Sequence, residues 1–469
     1  MVQILRSLGD RSLRQLVDLE RGLVNREVYV NPDIYQQELE QVFARAWLFV
    51  GHESLVPNPG DFFQSRMGAE AVILVRDHKS KLHVFLNTCR HRGMKVCRYD
   101  EGNARLFTCP FHGWSYDTDG RLVGVPHFKA AYREELDKSA FGLHEVAQLC
   151  NYYGSIWATW DPKAPSFAEY LGPYAEGIRW CFESLDGEDA GVELFRPVMR
   201  WRLPCNWKFP AFSFDGDTLH GVTTHRSINV AAIGPQGERK DGDRHPMRAA
   251  FPETRYEMSS RALGHGGHNS IYELPGVAEY VDTWQTEPPE VDEYFRKARE
   301  KKAKKYESRY LHGGGALVFP NVNIQEQRIL QWHPHRAGIT ESWRLRWYHP
   351  HATGMTERWT LCGVDKAAPA HVKDALRHYA ERFNGPVGFF ESDDMENWNY
   401  AHAASSGTIA ARIPYNFQCG LGHEFTDERV PGMTLNFGIA EENQRSRLRR
   451  WLAFMEAGSW NDLYPVKND

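Results

Sequence analysis

The stretch NTCRHRGMKVCRYDEGNARLFTCPFHGWSYDTDGRLVGVP, residues 87–126, decides how the rest of the chain is read. It holds a C-x-H pair, Cys89 and His91, and a C-x-x-H pair, Cys109 and His112, with seventeen residues between them. Each pair is short enough to occupy one tight loop. Gly93, Pro110 and Gly113 flank the pairs, which suits loop tips whose amides turn toward metal-bound sulfur. Two cysteines and two histidines fit a 2Fe-2S cluster in which one iron takes the thiolates and the other the neutral imidazoles, a division that makes the second iron easier to reduce. A structural zinc site uses the same residue types, but zinc fingers usually place both cysteines in one pair and both histidines in the other. Here each loop supplies one of each.

The surroundings of this stretch read as an all-β domain. From Leu48 to about Trp160, short runs such as AEAVILVRD, KLHVFLNT, ARLFTCP and YGSIWATW alternate in the manner of strands and are separated by turn residues including DTDG. Residues 1–46 carry two helical patterns; in the second, Ile34, Leu39, Val42, Phe43 and Trp47 fall on one side. They are expected to form a helical lead-in that packs on another domain. A Pro- and Gly-jointed segment, APSFAEYLGPYAEGI, follows the β domain, which places one domain at 47–163 and another at 164–469. In the latter, strands (FRPVMRWRLPCNWK, GALVFPNVNIQEQRILQWHP, TESWRLRWYHP) mix with helices, the last running from near Glu441 to near Gly458. This α+β pattern predicts an antiparallel sheet with helices on one side.

At 469 residues the chain is long enough for two substantial cores. Its 56 Lys and Arg against 61 Asp and Glu leave a net charge of −5, dispersed along the chain, which gives no nucleic-acid bias. Eight cysteines are too few for a disulfide scaffold of this size, and the six outside the cluster pairs read as reduced thiols. The N-terminal segment is charged every few residues and lacks the apolar core of a signal peptide, so a cytoplasmic location is expected. The basic run FRKAREKKAKKYESRY, 295–310, reads as a solvated helix face, with docking of an acidic electron donor as its functional alternative. LGHGGHNS, 263–270, lacks the Lys-Ser or Lys-Thr of a phosphate cradle. Two H-P-H segments, His333 with His335 and His349 with His351, are read as strand ends stopped by proline.

A second metal signature lies in WKFPAFSFDGDTLHGVTTH, residues 207–225. Asp217 and His220 are spaced to share a helical face, but His225 lies about 140 degrees round a regular helix from His220, so both imidazoles reach one ion only if the helix is distorted. Gly221 and the β-branched residues after it favour distortion. Far along the chain, GFFESDDMENW, 388–398, opens another predicted helix with a dense group of carboxylates. Two histidines and a carboxylate on one face suit non-haem Fe(II) and leave neighbouring positions open for dioxygen and substrate.

Together these segments resemble the large subunits of Rieske-type ring-hydroxylating oxygenases. The likeness rests on CRHRG and CPFHGWSY with DGRLVGVP, on NWK followed by GDTLH and a histidine five positions on, and on ESDDMENW. It covers about residues 35 to 455. It implies a Rieske 2Fe-2S domain beside a helix-grip catalytic domain, with the cluster on Cys89, His91, Cys109 and His112. Mononuclear Fe(II) would be held by His220, His225 and Asp394, the second aspartate of the pair. The resemblance makes Asp217 a bridge that accepts hydrogen bonds from His220 and from His112 of a neighbouring copy, in a head-to-tail trimer. It further implies cis-dihydroxylation of an aromatic hydrocarbon, with electrons from NADH delivered by a reductase and a ferredoxin, and a small β subunit completing an α3β3 assembly or its absence leaving α3. The alternative within the family is monohydroxylation or demethylation of an aromatic acid of the salicylate type. An electron carrier and a zinc-stabilised binding module are the readings from other classes. Ser213, Phe214, Gly221 and Phe390 are the expected pocket residues. The chain departs from the family where Phe212 and Ser213 replace a frequent Glu-Asn, and where Leu219 replaces a tyrosine.

Overall fold

The computed structural model describes residues 12–184, 190–213, 217, 220–225, 255–259, 267–273, 293–294, 297–298, 301, 316–333, 336–386, 388, 391–428 and 432–464. It divides into two compact units, residues 43–167 and residues 1–42 with 168–469. No helix among the described residues is long and apolar enough to cross a membrane.

The unit 43–167 is built from three antiparallel sheets. One orders Leu82–Leu86, Glu70–Arg76, Asp61–Met67 and Glu101–Asn103; another joins Gln148–Tyr152, Ser155–Thr159 and Leu48–His52. The third, Leu122–Gly124, Ser115–Asp117 and Leu106–Thr108, underlies the second metal-ligand pair. The run Val72, Ile73, Leu74 and Val75 is buried throughout rather than on alternate residues, so this strand is covered on both faces. Its core gathers Phe62, Ile73, Phe85, Phe107, Trp114 and Tyr116 around Cys89 and Cys109.

The other unit carries an antiparallel sheet of nine strands among the described residues. Its order is Val192–Leu194, Met355–Asp365, Arg336–Ala352, Val322–His333, Ala316–Val318, Asn269–Glu273, Arg255–Ser259 and Thr434–Phe437, with Met199–Leu203 also paired to Met355–Asp365. The helices Ala370–Asn384, Glu391–Ser405 and Glu442–Glu456 complete the α+β architecture. Both H-P-H segments lie at strand ends: Val322–His333 stops on His333, and Arg336–Ala352 runs one residue past His351, with an irregularity between Pro350 and Ala352. His349 is buried between Trp347 and Trp359, whose ring centroids lie 4.3 and 4.9 Å away. His335 and most of 295–310 lie outside the described residues, as do 263–266.

Two polar anchors position the segment that leads to the second metal signature. Helix Pro32–Glu38 starts on Asn31, whose side chain accepts from Asp33 N at 2.8 Å, with proline in its first turn. It ends on Glu38, which is fully buried, accepts from Trp207 Nε1 at 2.7 Å and Trp451 Nε1 at 2.8 Å, and pairs with buried Lys208. Removing either charge would leave the other buried and uncompensated. At the far end of helix Lys208–Ser213, Arg447 Nη1 donates to Phe212 O at 2.5 Å and so satisfies a terminal carbonyl. Arg447 belongs to Glu442–Glu456, a helix that reads as polar yet is buried along most of its length, where Arg445 likewise donates to the carbonyls of Phe417 and Cys419 and to Glu424.

Candidate metal centres

The two ligand loops of unit 43–167 share one design. Cys89 N donates to Met94 O at 2.8 Å and Gly93 N to Cys89 O at 3.0 Å; Cys109 N donates to Trp114 O at 2.8 Å and Gly113 N to Cys109 O at 3.0 Å. Gly93 and Gly113 have φ of +73° and +71°, a region that L side chains avoid, so glycine is what lets each loop fold back on its cysteine. Both cysteines are buried, and the rings of His91 and His112 meet edge to face with centroids 4.5 Å apart. Trp114 stacks on His91 at 4.9 Å.

Donors and acceptors around the loops are arranged for a negative sulfur. Tyr116 Oη lies 3.2 Å from Cys89 Sγ and accepts from Arg90 N at 3.0 Å, which leaves its proton for the sulfur. Amides of Phe111 and His112 donate to Cys109, while burial pushes that thiol up from its ordinary value. Burial by itself favours the protonated sulfur; a ferric pair bound there would hold it as thiolate. His91 Nδ1 is buried with no hydrogen-bond partner among the described residues, as a nitrogen reserved for a metal would be.

In the other unit the conflict over helical spacing is resolved by helix length. Asp217 is outside any helix, and the helix Gly221–Thr224 is a single turn flanked by the two histidines. Thr223 N and Thr224 N both donate to His220 O, at 3.0 and 2.7 Å, and His225 leaves helical geometry with ψ +29°. The chain therefore bends between the two imidazoles. His220 Nε2 and His225 Nε2 are 3.2 Å apart, and Asp394 Oδ1 lies 3.4 and 3.5 Å from them. Asp394 is delivered by the first turn of helix Glu391–Ser405.

Three lone-pair-bearing atoms thus face one another at the spacing of adjacent donors held about 2.1 Å from one ion. Without a cation this is a poor arrangement, because only a shared proton separates the two nitrogens, and Asp394 Oδ2 has no hydrogen-bond partner among the described residues. Burial pushes Asp394 up to about 7, with His220 opposing, and burial together with neighbouring His220 pushes His225 down to about 3. Burial also disfavours a charged His220, but Asp217 and Asp394 outweigh it and lift His220 to about 9. Asp217 Oδ2 lies 3.5 Å from His220 Nδ1, while half-exposed Asp393 reaches only to 3.9 Å from His225 Nδ1. Each carboxylate faces the ring nitrogen turned away from the convergence point, the side from which outer groups orient a metal-bound imidazole.

A cavity of about 420 Å³ reaches this point from the Asp217 side. Its walls include Asp217, His220, Thr224, Asp394 and Asn397 among the aromatic residues Tyr29, Phe209, Trp398, Tyr415 and Phe417. Among the expected pocket residues, Phe214 and Phe390 lie outside the described residues, and only the backbone of Ser213 and Gly221 is described.

The sequence profile of the Rieske [2Fe-2S] domain matches residues 46–145, and that of the ring hydroxylating alpha subunit catalytic domain matches residues 192–415. The biphenyl dioxygenase subunit alpha of Metapseudomonas furukawaii is 34% identical, with 97% of this chain and 95% of that protein aligned. The chain belongs to the Rieske ring-hydroxylating dioxygenase α subunits. The benzene 1,2-dioxygenase subunit alpha of Pseudomonas putida is 32% identical over 98% of this chain and 97% of its own length. Naphthalene 1,2-dioxygenase from Rhodococcus sp., solved with indole bound, superimposes with a TM-score of 0.80 at 30% identity, covering 95% of this chain and 99% of that one. As a member of this family, the α subunit uses a Rieske 2Fe-2S cluster, a mononuclear iron and dioxygen.

Two parts of this site escaped the sequence reading. Tyr29 and Tyr415, distant in sequence but with ring centroids 5.3 Å apart, line the cavity and carry no motif. Glu391 reads as one more acid in a carboxylate-rich turn, yet it is fully buried against three arginines. The alternation in RLRW was the available signal, since residues two apart on a strand share a face.

Proposed function

We propose that this α subunit cis-dihydroxylates an aromatic hydrocarbon, with His220, His225 and Asp394 as the iron ligands and Cys89, His91, Cys109 and His112 as the cluster ligands. The observation that carries the proposal is the convergence of two imidazoles and one carboxylate from distant segments, with Asp217 behind His220. Bound at that face, ferrous iron supplies dioxygen activation; both oxygen atoms enter adjacent ring carbons, and two electrons from NADH and two protons complete the diol. Among the described residues three donors converge from one side, an arrangement that would leave room for dioxygen on a bound ion. Asp217, its Oδ2 3.5 Å from His220 Nδ1, faces the ring nitrogen turned away from the metal and favours the orientation in which Nε2 points at the ion.

The 420 Å³ cavity, with Asp217 in its wall, is assigned to the arriving electron donor. Exposed Tyr400, Ile409 and Ile413 are sequence neighbours of its lining, and the cluster loops expose Phe111 beside His112. Apolar surface of this kind at both places supports docking of the cluster tip of one copy against the cavity of the next, in a head-to-tail trimer. A reductase and a ferredoxin are the proposed suppliers of electrons to the cluster, and a small β subunit the proposed companion of the trimer.

Turnover with biphenyl, naphthalene, benzene and salicylate, using a reconstituted reductase and ferredoxin, tests the reading. Cis-dihydrodiols from one or more hydrocarbons are expected. Monohydroxylation of salicylate with no hydrocarbon product would overturn it in favour of the aromatic-acid alternative.

A further inference from the structure

The helix that delivers Asp394 begins on a buried ionic cluster. Glu391, its first residue, is fully buried. Arg346 donates to Glu391 Oε1 from Nη2 at 2.6 Å and from Nε at 3.0 Å; Arg344 Nη1 approaches the same oxygen at 3.4 Å, and Arg358 Nη2 pairs with Oε2. All three guanidinium groups are themselves buried.

Their origin is the sheet. Arg344 and Arg346 alternate along Arg336–Ala352, and Arg358, on Met355–Asp365, pairs across from Tyr348, so all three project from one face. Arg344 also donates to Asn384 Oδ1, on the last residue of helix Ala370–Asn384, and thereby ties the end of one helix to the start of the next. One residue beyond Asp394, Met395 Sδ receives a contact from Trp201 Nε1 at 2.6 Å, and Arg358 lies 4.8 Å over the Trp201 ring. Well-packed apolar residues at these four positions would cost less than the ion cluster, because desolvating each charge is unfavourable. What the cluster supplies is geometry: guanidinium forks fix a carboxylate in position and angle. Glu391 stands one helical turn before Asp394, so locating it locates Asp394.

We infer that Glu391, gripped by Arg344, Arg346 and Arg358, is a positioning residue that sets the iron affinity of the site by holding Asp394 opposite His220 and His225. The inference rests on the reading of those three residues as iron ligands. Its test is anaerobic titration of ferrous iron into cluster-loaded protein stripped of its mononuclear iron, with the ferrous-nitrosyl EPR signal as readout and cluster absorption as the count of folded chains. Glu391→Gln is expected to weaken iron binding roughly ten- to hundredfold and alter the shape of that signal, Glu391→Asp to restore part of the loss, and neither to change cluster content. Iron binding by Glu391→Gln within about twofold of the parent overturns the inference. Should that variant not fold, Arg358→Gln, which strips Oε2 of its partner, carries the test, and again binding within about twofold overturns it. His225→Ala and Asp394→Asn run in parallel: parental iron binding in these would defeat the ligand reading itself, whereas their failure beside an unaffected Glu391→Gln defeats only the clamp.

Discussion

The two metal stations proposed for this chain are held by opposite means. Cys89, His91, Cys109 and His112 sit on two loops of a single short stretch, and backbone hydrogen bonds with a positive-φ glycine shape each one. His220, His225 and Asp394 come from segments far apart, and what brings them together is charge buried in the fold: Glu38 with Lys208 before the histidines, Glu391 with three arginines before the aspartate. Local geometry suffices where the ligands are neighbours in sequence. Where they are not, directional buried contacts take its place, and the site becomes sensitive to residues that touch no metal.

The sharpest way to break this contrast is His225→Ala. It should remove the mononuclear iron and all product formation while leaving the cluster's visible absorption intact; loss of both metals together would show that the stations are not separately built. Next in size is the acid sensitivity of the clamp. The arginines hold Glu391 down at about 2 against burial, so its folded value lies below its unfolded one. Its contribution, on the order of 3 kcal/mol, is present above the unfolded carboxylate range and is lost as pH falls from about 4.5 toward 2. Denaturant midpoints of the parent should fall steeply over that window and those of Glu391→Gln more shallowly; parallel curves would contradict the assignment.

Asp217→Asn tests the link behind His220. Turnover should drop roughly ten- to hundredfold with both metals retained, and a rate equal to the parent's would remove Asp217 from the path. The smallest effect is expected at Tyr116→Phe. Losing one donor to Cys89 sulfur withdraws about 1 kcal/mol of preference for the reduced, more negative cluster, lowering its potential on the order of 40 mV by voltammetry. A potential that does not move would place the hydroxyl proton elsewhere.

How far the residues alone reach follows the same division. The C-x-H and C-x-x-H pairs, their glycines and the surrounding strands are legible because each depends on a few residues of local chain, and the α+β class follows from the pattern of runs. His220 and His225 are legible as residues but not as a geometry: a regular helix would separate them, and only the ending of the helix after a single turn turns both inward. Asp393 and Asp394 are indistinguishable by spacing, and burial in the folded unit separates them, the second facing both histidines and the first half exposed. Tyr29, Tyr415 and the three arginines are assigned their places by sheet register and by helix ends meeting across the core, relations among segments that no short window of sequence contains. Side-chain type and near spacing lie within a short window, so the candidate ligand chemistry is readable from the residues alone; the convergence of distant groups depends on packing and on satisfying buried charge, which exist only in the folded chain.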